Sequence, residues 1–121
     1  MASSVSNIAF DCHDAYRVAE FWSQVTGRPL NDDDFPGDPV AVVRLTDDVR
    51  LYFEQVPEPK TVKNRVHLCL RPTGPRDVEV ERLLGLGATL LADRRNPDGT
   101  GWVVLADLER NEFCLLPGDE G

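Results

Sequence analysis

A chain of 121 residues has the length of one domain with one core. Hydrophobic residues at 41% and charged residues at 28%, spread along the whole length, exclude a disordered chain. A net charge of -8 and a pI near 4.6 exclude nucleic acid and anionic membrane surfaces as partners, because both need clustered Lys and Arg.

The chain opens on Met-Ala-Ser-Ser-Val-Ser, which lacks the basic and apolar regions of a signal peptide. No apolar run approaches the roughly 20 residues of a membrane helix, so a cytoplasmic protein is expected. Val5 to Asp11 reads as a strand, and a helix follows from about Asp14, a plausible N-cap, to Thr26, closed by Gly27. Val18, Phe21, Trp22 and Val25 recur at the spacing of one buried helical stripe, which makes Trp22 a core residue. Asn31 to Pro39 is a loop rich in Asp, Pro and Gly. Val40 to Leu45 and Arg50 to Val56 read as strands joined by a turn at Asp47-Asp48, and Pro57 to Lys63 as a linker.

The second half runs the same course. A strand from Arg65 to Arg71 and a Pro/Gly turn precede a helix from about Arg76 to Leu86 and Gly87. Val78, Leu83, Leu84 and Leu86 give that helix its apolar surface, while Gly85 weakens it by about 1 kcal/mol relative to Ala. Strands follow near Thr89 to Ala92, Gly101 to Ala106 and Glu112 to Leu116. Short strands grouped after each helix predict a mixed sheet with helices on one face.

The chain also matches itself at an offset of 60. Identical pairs include Val18/Val78, Gly27/Gly87, Leu30/Leu90, Val43/Val103, Asp47/Asp107 and Phe53/Phe113. They fall at matching points of the predicted elements and indicate an internal duplication. The alternative is chance agreement in a chain rich in Val, Leu and Asp.

Side chains alternate across a strand, so parity sorts them by face. Ile8 with Phe10, Leu51 with Phe53, Val66 with Leu68 and Leu70, and Phe113 with Leu115 make an apolar face that should carry the helices. The opposite face collects Asn7, Ala9 and Asp11; Tyr52 and Glu54; Arg65, His67, Cys69 and Arg71; Glu112, Cys114 and Leu116. Trp102 and Val104 join it if Val103 and Leu105 turn toward the helices. Such a face is either an exposed side of a sheet or the wall of a binding cleft. Cys12, Cys69 and Cys114 are odd in number and widely spaced, which predicts reduced and mostly buried thiols. His13 reads as a solvated turn residue.

Three segments carry a family resemblance: Asn-Ile-Ala-Phe-Asp-Cys with Ala-Glu-Phe-Trp and Thr-Gly; Phe-Glu-Gln-Val-Pro to Arg-Val-His-Leu; and Val-Leu-Ala-Asp-Leu-Glu-Arg-Asn-Glu-Phe-Cys-Leu-Leu. From Val5 to Pro117 the chain resembles the glyoxalase-like branch of the vicinal oxygen chelate superfamily. The resemblance implies an α+β fold in a single domain, residues 1–121. Two tandem β-α-β-β-β modules, at about 5–57 and 64–117, would form a curved mixed β-sheet around a cleft, with helices on the outer face. It also implies a homodimer, by precedent.

Metal-dependent members hold a divalent ion with one His or Glu from the first and last strand of each half, positions that correspond to Asn7, Glu54, His67 and Cys114. Only Glu54 and His67 are strong ligands for a hard ion, so no stoichiometric divalent metal is expected; the alternative is a zinc site of Glu54, His67 and Cys114, since a Cys thiolate suits zinc. Without a metal, Glu54 and His67 would pair with each other.

Three functions follow from the resemblance, and a fourth, of another class, stands beside them. The first is a metal-free protein that binds a small organic molecule, with Asn7, Asp11, Tyr52, Arg65, Trp102 and Cys114 as ligand-binding residues. The second is a lyase or isomerase in which Glu54 and His67 are a catalytic acid-base pair. The third is a metal-dependent glyoxalase-like lyase or dioxygenase with Glu54 and His67 on the ion, and the fourth an interaction domain whose polar face is a dimer surface. Arg65, Arg71 and Asp11 have a plainer reading as ion pairs across neighbouring strand ends.

Overall fold

The computed structural model describes residues 1–118, and the chain divides into two compact units between Lys60 and Thr61. The first unit holds β1 (Asn7–Cys12), α1 (Ala15–Thr26), β2 (Val40–Arg44) and β3 (Arg50–Gln55). The second holds β4 (Cys69–Leu70), α2 (Arg76–Leu86), β5 (Thr89–Arg95), β6 (Gly101–Ala106) and β7 (Glu112–Leu115). The mixed pairing expected from the sequence is present as two sheets, ordered β1-β3-β2 and β4-β7-β6-β5. In each, the first strand pairs parallel with the last, and the last two strands form an antiparallel hairpin.

The first unit has the β-α-β-β-β order with one strand reduced to a single bridge, Leu30 to Val43. Pro29, next to Leu30, has no N–H to give to a ladder, and a turn at Asp32–Asp33 carries the chain away on the other side. Asp34 takes the Val42 N–H with its own carboxylate at 2.8 Å. Asp14 caps α1 as expected, accepting the Arg17 N–H at 3.2 Å, and Gly27 ends the helix with φ 69°. The predicted stripe of Val18, Phe21, Trp22 and Val25 is buried. Phe10 stacks on Phe53 at 5.1 Å between ring centres and meets Trp22 at 6.0 Å, so β1, α1 and β3 share one aromatic cluster.

In the second unit Val103, Leu105, Phe113 and Leu115 are buried on one face of the sheet, as parity required. Of the expected helix stripe only Leu83 is fully buried, and Val78 is 66% exposed. The helix is instead anchored by a buried charge. Arg76 donates to the carbonyls of Gly101 at 2.8 Å, Gly99 at 3.0 Å and Leu115 at 3.4 Å, which ties the start of α2 to β6 and β7.

The expected strand over Arg65 to Arg71 is a second correction, because only Cys69 and Leu70 are in the ladder. Asn64 causes the shortening. Its backbone N–H donates to Glu112 and its side chain amide to Asn111, at 3.0 and 3.1 Å, while its side chain oxygen accepts the Glu112 N–H. The segment is therefore pinned to the start of β7 by side chains, and Arg65 and Val66 bend away. Val66 stands 74% exposed and does not join Leu68 and Leu70.

The strand registers also revise the repeat. The first hairpin closes at Arg44 opposite Arg50, the second at Ala106 opposite Glu112, an offset of 62 and not 60. β1 pairs with β3 in the register Ala9 to Tyr52, and β4 with β7 in the register Cys69 to Cys114. The first strand of each half thus keeps the offset of 60 while the hairpin is displaced by two more residues. Cys114 is the counterpart of Tyr52, and Glu54 is the counterpart of Leu116. The identities Val43/Val103, Asp47/Asp107 and Phe53/Phe113 are not structural equivalences; Arg50 opens β3, whereas Arg110 sits in the turn before β7 with φ 67°.

Truncation of the aromatic cluster tests this core. Trp22→Ala should cost about 3–5 kcal/mol in urea denaturation. Val66→Ala should stay within about 0.5 kcal/mol, because its side chain is in water.

Candidate functional site: the mixed faces of the two sheets

Residues directly opposite each other in a ladder project to the same side. On the second sheet, Cys69 pairs with Cys114, Cys114 with Val104, and Ala92 with Val104; Trp102 pairs with Arg94 two residues along. One face therefore carries Cys69, Cys114, Val104, Trp102 and Arg94. Trp102 is 44% exposed on it, a large apolar ring left in contact with water.

His67 is exposed and precedes β4 on the bent segment. Its ring nitrogens and the sulfurs of Cys69 and Cys114 all lie within 4.8 Å of one another. Cys69 is exposed and Cys114 buried, and all three cysteines of the protein are free thiols. Burial pushes the Cys114 thiol up from its ordinary range, and the neighbouring Cys69 adds to the effect, while Lys63 opposes it. Sequence parity had put His67, Cys69 and Cys114 on one face. The family resemblance had joined His67 and Cys114 as ligand positions, but not Cys69, whose closeness depends on the β4–β7 register.

On the first sheet, Asp11 pairs with Glu54 and Ala9 with Tyr52. Two carboxylates therefore stand side by side and exposed on the face, with the half-buried Tyr52 next to them. Asn7 is level with Arg50, four residues back from Glu54, which is a separation of roughly 13 Å along the strands. Cys12 is buried and its thiol donates to the Glu54 carbonyl at 3.4 Å. Arg71 donates to the Pro117 carbonyl at 2.8 Å. Arg65 is exposed, and His13, exposed as expected, reaches the Glu58 carbonyl at 2.9 Å.

The model of the glyoxalase-like domain family matches residues 7–116. The chain belongs to that family. No curated protein matches it in sequence. Among solved structures, a glyoxalase/bleomycin resistance protein/dioxygenase family enzyme from Burkholderia phytofirmans is similar over 94% of this chain and 98% of its own, with TM-score 0.73 and 20% identity. The fosfomycin resistance protein FosX from Listeria monocytogenes, an E126Q mutant complexed with Mn(II) and 1S,2S-dihydroxypropylphosphonic acid, has TM-score 0.72 and 17% identity over 98% and 94% of the two chains. A possible glyoxalase from Bacillus cereus has TM-score 0.69 and 16% identity, covering 95% and 99%. These likenesses show that the glyoxalase-like domain shares its fold with these proteins.

The donors present do not fit the hard divalent ion of metal-dependent members. Asn7 offers only an amide oxygen and Cys114 a soft sulfur, where Mg²⁺ or Mn²⁺ needs carboxylate, imidazole or water. Asn7 and Glu54 are also too far apart along their ladder to share one ion. Within the glyoxalase-like domain the three thiols differ in access, which a timed alkylation resolves. Cys69 should react with iodoacetamide first, and Cys12 and Cys114 only slowly, as read by peptide mass spectrometry.

Proposed function

We propose that this glyoxalase-like domain protein binds a small organic molecule without the hard divalent ion that the superfamily's metal-dependent members use. The half-exposed Trp102 on the mixed face of β6 carries the reading. An indole beside Val104 offers a ligand a large apolar surface and one hydrogen-bond donor, a combination suited to a flat or partly apolar molecule. Arg94, directly opposite Trp102 in the ladder, adds a cation for an acidic group of the ligand. The small phosphonic acid in the FosX structure from Listeria monocytogenes is an example of such a compound in a protein of this fold. Tyr52 and Asp11 make the mixed face of the first unit a similar surface of apolar and polar groups.

A thermal-shift screen of aromatic antibiotics and small phosphonates tests the reading. A binder should raise Tm, and adding Mg²⁺ or Mn²⁺ should leave that shift unchanged. Trp102→Ala should remove the shift while moving the Tm of the free protein little, since the ring is far from fully buried. A shift that survives Trp102→Ala, or one that appears only with Mg²⁺ or Mn²⁺, would sink the proposal.

A further inference from the structure

His67, Cys69 and Cys114 belong to the second unit alone, and their donor atoms lie within 4.8 Å of one another. We infer that these three side chains form a site for a thiophilic cation of the zinc class, in which Cys69 joins His67 and Cys114, two of the four positions named above, and Asn7 and Glu54 take no part.

The donor chemistry selects the ion. Two sulfurs and one imidazole are soft to borderline ligands, which favour Zn²⁺ and related thiophilic ions over Mg²⁺ and Mn²⁺. Binding releases one proton from each thiol, and the two thiolates then balance the charge of a divalent ion. Three protein ligands leave the fourth tetrahedral position open to water or another small donor.

Geometry permits closure. Ligand atoms in a tetrahedral zinc-sulfur site stand about 3.8 Å apart, given metal–sulfur bonds of about 2.3 Å. The donors need to draw in by no more than about 1 Å to meet that spacing. Cys114 is held in β7, and the parallel register with Cys69 fixes the two sulfurs on one side of the sheet. His67 lies outside the ladder on an exposed, bent segment, so its ring can swing onto the ion without breaking a strand. Cys69 and His67 are both exposed, which leaves the open position on the solvent side.

The site goes beyond small-molecule binding at Trp102, and either can fail without the other. Its test is a titration of reduced, metal-free, full-length protein with Co²⁺ alone, followed by displacement with Zn²⁺. One equivalent of Co²⁺ should produce sulfur-to-cobalt charge-transfer absorption in the near ultraviolet, and Zn²⁺ should abolish it stoichiometrically. Cys69→Ser, at an exposed position that should not disturb folding, should lose about half of that absorption. It should also weaken Zn²⁺ binding in a chelator competition at least as much as loss of an outer-shell partner does, about 10- to 100-fold. His67→Gln should weaken binding similarly and keep the full absorption. Glu54→Gln should change neither. Circular dichroism of each variant checks that the sheet is intact. Absence of charge-transfer absorption in the reduced wild type would overturn the inference. So would a Cys69→Ser protein that binds Zn²⁺ as tightly as wild type, or a loss of binding in Glu54→Gln equal to that in His67→Gln.

Discussion

In each unit the first strand lies parallel to the last, and this one pairing places the candidate site. Parallel neighbours cannot be joined by a tight turn, so the chain must cross over through a dozen or more residues, which here include α1 and α2. The hairpin that follows brings the last strand back beside the first. The register of that return decides which side chains stand opposite one another. It sets Cys114 beside Cys69 in one half and Tyr52 beside Ala9 in the other. A slip of one residue would move these groups to the other face of their sheets.

The two halves use different means to hold the same order of elements. The first relies on apolar packing, with Phe10, Trp22 and Phe53 locking β1, α1 and β3 together. The second relies more on polar groups inside. Arg76 holds α2 through three carbonyls. Asp107, also buried, accepts from the Glu109 and Asn111 backbone N–H groups at 2.8 and 2.9 Å and so shapes the turn between β6 and β7. Gly101, with φ 90°, closes the β5–β6 turn where a Cβ would stand 2.2 Å from the Arg94 carbonyl. Among the described residues no fully buried side-chain polar atom lacks a partner, which such an interior requires.

The chemistry of the faces follows from this division. The first unit presents oxygen donors, Asp11 and Glu54, as direct neighbours, whereas the second presents nitrogen and sulfur. Ligand softness sorts the two kinds of donor between different ions, so one fold with altered side chains is suited to a different partner.

The sequence by itself determined the order of elements, the cap at Asp14, the buried stripe of α1 and the two faces of β1, β3, β6 and β7. All of these rest on local periodicity, on side chain parity or on residues that favour a particular backbone angle. It also carried the family resemblance across nearly the whole chain. It misjudged the length of β4 because Asn64 is held by Glu112 and Asn111, partners almost fifty positions away, which no local pattern records. The offset of 60 read correctly for the first strands and failed for the hairpins, since two added residues preserve parity and leave the alternation of apolar positions intact. Parity could say that His67, Cys69 and Cys114 share a face. Only the tertiary structure decided that they are neighbours, because that depends on hydrogen-bonded register between strands far apart in the chain.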